Sequence, residues 1–280
     1  MLNRDSTISF VYRPENKAAL AWEKKITKWL GQKYPKVKVV KKSAKFLIVL
    51  GGDGTILETA RKYQNQGSVI LGLNLGQVGF LASIRDEKNF ISGLNEFFKG
   101  KYRTIQRMML KANVVRSNKI VFTANALNEI TAQNLLGMVE LELSINGDPM
   151  QNIRGTGALI STATGSTAYN LSAHGPIVMP DMKCFIVTEL MDHNIPSPSI
   201  VVKRNKNIRL KVISFRERGL LSVSQTGERV DVVLVADGSI LFPLKQKDII
   251  NINRSAKLVR FVELEKNYFF KSLQEKFSFK

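Results

Sequence analysis

The sequence predicts an α/β protein: an N-terminal wound α/β domain with a parallel sheet, followed by a β-rich C-terminal domain. Three observations carry this. Strand-like and helix-like segments alternate through the first hundred residues, as crossover-wound sheets require. From about Arg107 short strand-like runs follow one another without helices. Two of the later turns, Asn146-Gly147 and Asp237-Gly238, carry the strongest short hairpin signature.

Taken in order, Ile8 to Tyr12 reads as a strand and Asn16 to Leu30 as a helix with Leu20, Ile26, Trp29 and Leu30 among its apolar positions. Lys36 to Lys41 and Phe46 to Leu50 read as strands, Ile56 to Asn65 as a helix, Val69 to Leu73 as a strand. Asp86 to Lys99 closes the set as a helix carrying Phe90, Ile91, Leu94, Phe97 and Phe98. The strand-rich part runs through 108–115, 119–124, 139–145, 158–161, 184–190, 200–202 and 208–213, then 232–236 and 239–243 around Asp237-Gly238. From Lys266, Phe269, Phe270, Leu273 and Phe277 fall at near-helical spacing. This final amphipathic helix is expected to pack back on the first domain rather than lie on a membrane. The expected domains are 1–105, rejoined by 263–280, and 106–262.

With 280 residues the chain can bury a sizeable core. A hydrophobic share of 44% and a charged share of 23% are those of an ordinary globular protein. The net charge of +19 draws in anions such as nucleotides, polyphosphate or nucleic acid. The lysines are spread along the whole chain, and the densest clusters lack the interleaved aromatics of a single-strand binding platform, so no nucleic-acid partner is expected. One cysteine, Cys184, sits among apolar neighbours and has no partner to pair with. No run approaches a membrane span, and no signal region opens the chain. These features together suggest a cytoplasmic, reduced protein.

The most informative stretch is 46–57. An apolar strand runs straight into Gly51-Gly52-Asp53-Gly54-Thr55 and then into a helix start. Glycines there let the backbone approach a bulky anion, and the N–H groups of the turn and helix start favour phosphate oxygens. Asp53 is the unusual element. A carboxylate repels phosphate, so its presence points to a metal ligand or a proton acceptor, the chemistry of phosphoryl transfer to a hydroxyl. Gly-Asp-Gly is also ordinary turn chemistry; the strand-to-helix context is what favours function. The stretch lacks the Lys-Ser/Thr ending of a P-loop, and Arg154-Gly155-Thr156-Gly157 lacks the third glycine of a dinucleotide fingerprint.

Three further segments join it. Asn74-Leu75-Gly76-Gln77-Val78-Gly79-Phe80-Leu81 puts two more glycines at a strand's carboxyl end, where wound sheets bind ligands. Asn128-Glu129 places an amide able to read a base edge beside a carboxylate able to accept from ribose hydroxyls. The stretch 154–170 is rich in Ser, Thr and Gly, which offer donors and caps without bulk. No G-x-S-x-G elbow surrounds Ser161, and His174 and His193 are the only histidines, which argues against a serine triad.

Together and in this order, GGDGTIL (51–57), NLGQVGFL (74–81), NE (128–129) and STATGSTAYNLSAHGPIV (161–178) resemble the NAD kinase family. The resemblance implies a kinase that phosphorylates the 2′-hydroxyl of the adenosine ribose of NAD, giving NADP, with ATP or polyphosphate as donor and Mg²⁺ as cofactor. It implies Asp53 as general base, with Gly51, Gly52, Gly54 and Thr55 shaping the phosphate site. Asn128 and Glu129 would hold base and ribose. Thr164, Thr167, Ala168 and Tyr169 would line the dinucleotide pocket, with Phe80 at its wall, Arg154 near phosphate and Thr156 also contacting the dinucleotide. It assigns no residue as a dedicated metal ligand. It also implies a homo-oligomer, dimer or tetramer, whose neighbouring subunits complete the site.

The chain departs from the family pattern twice. Thr156 stands where the family usually has Asp in R-G-D-G, and residues 188–195 keep His193 but lack both prolines of T-P-I-x-P-H-S-L. Two other readings remain open on the residues alone. One is a lipid or small-alcohol kinase sharing GGDGT; the other is a non-catalytic nucleotide-binding protein.

Overall fold

Phe46–Leu50 is buried at every residue, the signature of a strand covered on both faces by helices. It is the middle of a parallel sheet. The computed structural model describes residues 7–76, 79–193, 197–219, 221–222, 229–266 and 268–277. The chain divides into two units, 1–107 with 257–280, and 108–256.

The first unit opens with β1 (Thr7–Val11), α1 (Lys17–Lys33), β2 (Lys38–Val39), β3 (Phe46–Leu50), α2 (Asp53–Tyr63), β4 (Val69–Leu73) and α3 (Phe90–Phe98). The strands pair in parallel in the order β2-β1-β3-β4. Helix α1 starts after Asn16, whose side-chain oxygen accepts the Ala19 N–H at 3.1 Å. Helix α2 begins earlier than the hydrophobic period indicates. The Thr55 and Ile56 N–H groups both reach the Gly52 carbonyl, at 3.0 and 3.2 Å, so the coil starts inside the glycine turn. The segment from Asp86 is split. Its side chain caps Lys88 N at 3.0 Å, a 3₁₀ turn follows over Glu87–Asn89, and α3 begins only at Phe90. Behind the sheet, the Phe97 ring lies 5.0 Å from Phe46, 5.0 Å from Phe98 and 4.9 Å from Tyr102, in the tilted and edge geometries aromatic rings prefer.

The second unit is built from β5 (Arg103–Arg116) after its first five residues, β6 (Lys119–Ala126), β7 (Glu129–Asn134), β8 (Val139–Ile145), β9 (Asp148–Gly155), β10 (Gly157–Thr162), the short α4 (Tyr169–Ser172), β11 (Cys184–Leu190), β12 (Ile200–Lys203), β13 (Ile208–Phe215), the two-residue pair β14 (Leu221–Ser222) and β15 (Arg229–Val230), β16 (Val232–Ala236), β17 (Ile240–Pro243) and the first part of β18 (Ile249–Glu263). One antiparallel sheet runs β12-β11-β10-β7-β16-β17; another joins β18, through Ile249–Ile252, to β13, β8 and β9. Alternate residues of both sheets share one core: Ile130, Ala158, Ile160, Phe185 and Leu234 from the first, Leu141, Leu143, Ile208, Leu210 and Ile250 from the second.

Both hairpin signatures are turns. Asn146-Gly147 and Asp237-Gly238 hold positive φ at both central residues, 56° and 93°, and 45° and 65°. Five strands lie beyond the sequence reading: the two-residue β14 and β15, and β7, β9 and the 15-residue β18, whose Thr, Gln, Asn, Arg and Lys residues dilute the apolar alternation. Later in the chain, β18 pairs with β4 in parallel at Arg260 and Phe261, which adds a strand to the first unit's sheet. The last helix, α5 (Tyr268–Phe277), packs within that unit: Tyr268 and Ser272 are buried, and the Phe269 and Phe277 rings lie 6.1 and 6.3 Å from Phe80. Among the described residues no helix is long and apolar enough to cross a membrane.

Phe97 is fully buried in the aromatic cluster, whereas Ile120 is 63% exposed on a strand. Phe97→Ala is expected to lower stability by about 3–5 kcal/mol through the cavity it opens, and Ile120→Ala by less than about 0.5 kcal/mol. Urea unfolding of both variants reads the difference.

Candidate active site

In the first unit the sequence folds its glycines around one carboxylate. Strand β3 ends at Leu50, and the Gly51 N–H crosses to the Leu73 carbonyl of β4 at 3.0 Å, tying the turn to the neighbouring strand. A Cβ on Gly51 would sit 2.7 Å from Thr55 Oγ1, so only glycine fits there. Gly52 precedes α2 with no side-chain cap, which leaves the helix N-terminus open to an anion. Asp53 is the first residue of α2. Its carboxylate accepts the Phe80 N–H at 2.8 Å and the Leu81 N–H at 3.3 Å. Gly79 makes this approach possible, because a Cβ there would fall 2.3 Å from Asp53 Oδ1.

Two effects compete on that carboxylate. Burial favours the protonated form, while the two N–H donors and the nearby Lys276 ammonium favour the charged one. Burial wins, and the Asp53 pKa lies above the ordinary carboxylate value. Lys276 also lies 5.0 Å over the Phe80 ring. Beside the turn, Gly76 backs onto Gly52, where an added Cβ would come within 3.9 Å of the Gly52 Cα. A cleft of about 1060 Å³ adjoins it, lined by Asn74, Gly76, Arg85, Leu264, Tyr268 and Lys271 among others. Gln77 and Val78 of the second glycine segment lie outside the described residues.

In the second unit the loop 127–129 is held from both sides. The Asp237 carboxylate accepts from the N–H groups of Leu127 (2.9 Å), Asn128 (2.7 Å) and Glu129 (3.3 Å). The carbonyls are held by Thr162: its Oγ1 donates to Leu127 O at 2.7 Å and its N–H to Asn128 O at 2.8 Å. Gly165 presses on the same loop, since a Cβ there would lie 2.4 Å from the Asn128 carbonyl oxygen. With its backbone so fixed, the loop leaves two buried side-chain oxygens, Asn128 Oδ1 and Glu129 Oε2, without a hydrogen-bond partner. Such atoms are costly unless a ligand satisfies them. Burial, with the Asp237 charge behind it, pushes the Glu129 pKa up to about 8.

Residues 164–167 form a 3₁₀ turn in which Thr164 and Thr167 are buried; Ala168 is partly exposed and Tyr169 exposed beside them. Gly165 N bonds Thr162 Oγ1 at 3.1 Å, which ties this turn to the strand that also holds Leu127 O. Arg154 is exposed and lines a different pocket of the unit, with Met138, Ser214, Arg216 and Arg218. Thr156 spends its hydroxyl on the strand pairing, donating to Leu190 O at 2.9 Å. Of residues 188–195, Asn194 and Ile195 lie outside the described residues.

Sequence reasoning missed Asp237, read only as a turn residue, and the use of Thr162 to hold the loop. It also missed Arg13, whose guanidinium lies 3.9 Å from where a Gly54 Cβ would stand. The signal of Asp237 and Arg13 is spatial; nothing local in the sequence marks their contacts. Among the described residues no group of three or more His, Cys, Asp or Glu is placed to hold a metal.

Comparison with known proteins places this geometry. A family model described as the ATP-NAD kinase N-terminal domain matches residues 36–102, and one described as the ATP-NAD kinase C-terminal domain matches residues 127–264. An NAD kinase of Caldanaerobacter subterraneus subsp. tengcongensis is 36% identical over 233 residues, 82% of this chain and 77% of the relative. That of Geobacter metallireducens is 35% identical over 235 residues, 83% and 78%. Among solved structures, yeast NADH kinase complexed with NADH superposes with a TM-score of 0.85 at 20% identity, covering 100% of this chain and 89% of that one. The NAD kinase of Archaeoglobus fulgidus in complex with ATP gives 0.75 at 23%, covering 96% and 98%. The structural likenesses speak to the fold. The two domain matches in chain order and the sequence identity over four-fifths of the chain go further, and on them the chain belongs to the NAD kinase family.

Proposed function

We propose that the chain transfers the terminal phosphoryl group of ATP to the 2′-hydroxyl of the adenosine ribose of NAD, with Asp53 as the proton acceptor. One observation carries the reading. Asp53 is a single carboxylate at the open N-terminus of α2, held by two backbone N–H groups and made more basic than an ordinary carboxylate by burial. A base so tuned holds a proton better at neutral pH, which suits removal of one from a hydroxyl under attack on phosphorus. The glycines around it leave N–H groups for the donor's phosphates. Asn128 Oδ1 and Glu129 Oε2 await donors of the kind that an adenine amino group and ribose hydroxyls supply. Thr164, Thr167, Ala168 and Tyr169 form the neighbouring wall, and Phe80 belongs to the Asp53 cluster.

The residues also fit a Mg²⁺ ion that arrives with the triphosphate. Mg²⁺ is usually held by one or two carboxylates plus substrate phosphates, and the glycine turn offers the one carboxylate of Asp53. Bound there, the ion would screen charge on the transferring group. The net charge of +19 favours ATP and equally a polyphosphate chain as donor. The single buried Cys184, its thiol pKa raised by burial, agrees with a cytoplasmic setting. A homo-oligomer is part of the same reading and rests on the family resemblance. Arg154 and Thr156, placed away from the loop 127–129, would contact the part of the dinucleotide beyond the adenosine. With its hydroxyl engaged and no charge, Thr156 gives that part weaker polar recognition than a carboxylate would.

Three outcomes are expected. In a coupled assay of NADP formation, Asp53→Asn lowers kcat by at least about a hundredfold while NAD affinity by calorimetry stays within about threefold; a fully active variant removes Asp53 from the reaction. The wild-type rate should rise with pH through an ionisation above the usual carboxylate range, because only the deprotonated base works, and that limb should disappear in Asp53→Asn. Gly79→Ala, which pushes a methyl group onto the Asp53 carboxylate, should cost about tenfold to a hundredfold in kcat by displacing the base. Its thermal midpoint, read alongside, separates this from loss of fold.

A further inference from the structure

We infer that Asp237 is a positioning residue for nucleotide binding: its carboxylate, by collecting the N–H groups of 127–129, aims the Asn128 and Glu129 side chains at the ligand. The inference rests on the proposed role of those two residues.

Asp237 is 8% exposed and lies at the head of the β16–β17 hairpin, one residue past Ala236, which pairs with Ile130 of β7. The hairpin alone does not explain it. In the connection 237–239, whose first two residues hold positive φ, Asn-Gly serves at least as well as Asp-Gly. What asparagine cannot supply is a second acceptor oxygen. Oδ2 takes the Leu127 N–H, and Oδ1 takes those of Asn128 and Glu129. An amide in that place would turn its NH₂ group toward at least one of these donors. The Asp237 N–H in turn donates to the Glu129 carbonyl at 3.0 Å, so the two segments clasp each other. Thr162 holds the loop from the other side, its Oγ1 donating to Leu127 O and its N–H to Asn128 O, so the backbone is pinned on both sides of Asn128. The buried side-chain oxygens of this loop left without a hydrogen-bond partner are Asn128 Oδ1 and Glu129 Oε2. A carboxylate that accepts three N–H groups is a strong anchor, since hydrogen bonds to a charged group count roughly double those between neutral ones.

The test compares wild type with Asp237→Asn, a change that keeps the turn and removes the anchor. NAD binding is measured by calorimetry and KM for NAD and ATP by coupled assay, both well below the thermal midpoint. The expected result is a loss of about tenfold or more in NAD affinity and a matching rise in KM for NAD. KM for ATP should stay within about twofold. A residue that serves the hairpin alone would leave NAD affinity unchanged in the folded variant, and that result overturns the inference. Hydrogen exchange on the wild-type protein provides a second route that needs no variant. The amides of 127–129 should be strongly protected, and exchange at solvent-exposed rates would show that the anchor does not exist. If wild type itself binds no NAD, the reading of Asn128 and Glu129 fails first and takes this inference with it. NAD binding that Asp237→Asn leaves intact refutes the inference alone.

Discussion

The contact between the Asp53 carboxylate and the backbone of residues 79–81 is the constraint on which the first unit's site depends. A carboxylate placed at the head of a helix inside a sheet's glycine turn must find donors, or it would be protonated and inert. It finds them on the segment after β4 rather than on its own turn. This explains why two glycine-containing segments, 28 residues apart at Gly51 and Gly79, belong to one device: the first forms the turn that carries Asp53, the second lets backbone touch its carboxylate. It also fixes Phe80, whose ring then meets Phe269 and Phe277 of the terminal helix.

The second unit solves a similar problem with the opposite emphasis. Here the carboxylate of Asp237 is spent on structure, and a second acid, Glu129, is left buried with an oxygen unsatisfied. Burial, and after it the Asp237 charge, raises the cost of ionising Glu129. Two buried acids in one small region thus differ, one ordering the loop and one left with an unsatisfied oxygen.

Much of this was legible in the sequence because the relevant signals are local. Phe46–Leu50 running into Gly-Gly-Asp-Gly reads as strand, turn and helix without any tertiary knowledge, and the Asp237-Gly238 hairpin reads from two residues. The start of α2 was placed three residues late because apolar periodicity begins at Ile56, while the hydrogen bonds begin with the carbonyl of Gly52. Strand β7 escaped notice because Glu-Ile-Thr-Ala-Gln-Asn is half polar, although pairing on both sides buries nearly all of it. Asp237 escaped for a deeper reason. Its turn chemistry is a complete local explanation, and its contacts with 127–129 span more than a hundred residues of chain. For Arg154 the sequence shows chemistry suited to phosphate but not its position, on a strand that presents it to a pocket away from the loop 127–129.

The central claim is that these two clusters serve one reaction, phosphoryl transfer to a ribose hydroxyl. The most direct measurement is ³¹P NMR of the products after the purified protein has turned over NAD with ATP and Mg²⁺. The account predicts one new phosphomonoester, at the 2′ position of the adenosine ribose, formed in step with ADP. ADP released without that phosphomonoester, or no turnover by protein that binds both ligands, would contradict it.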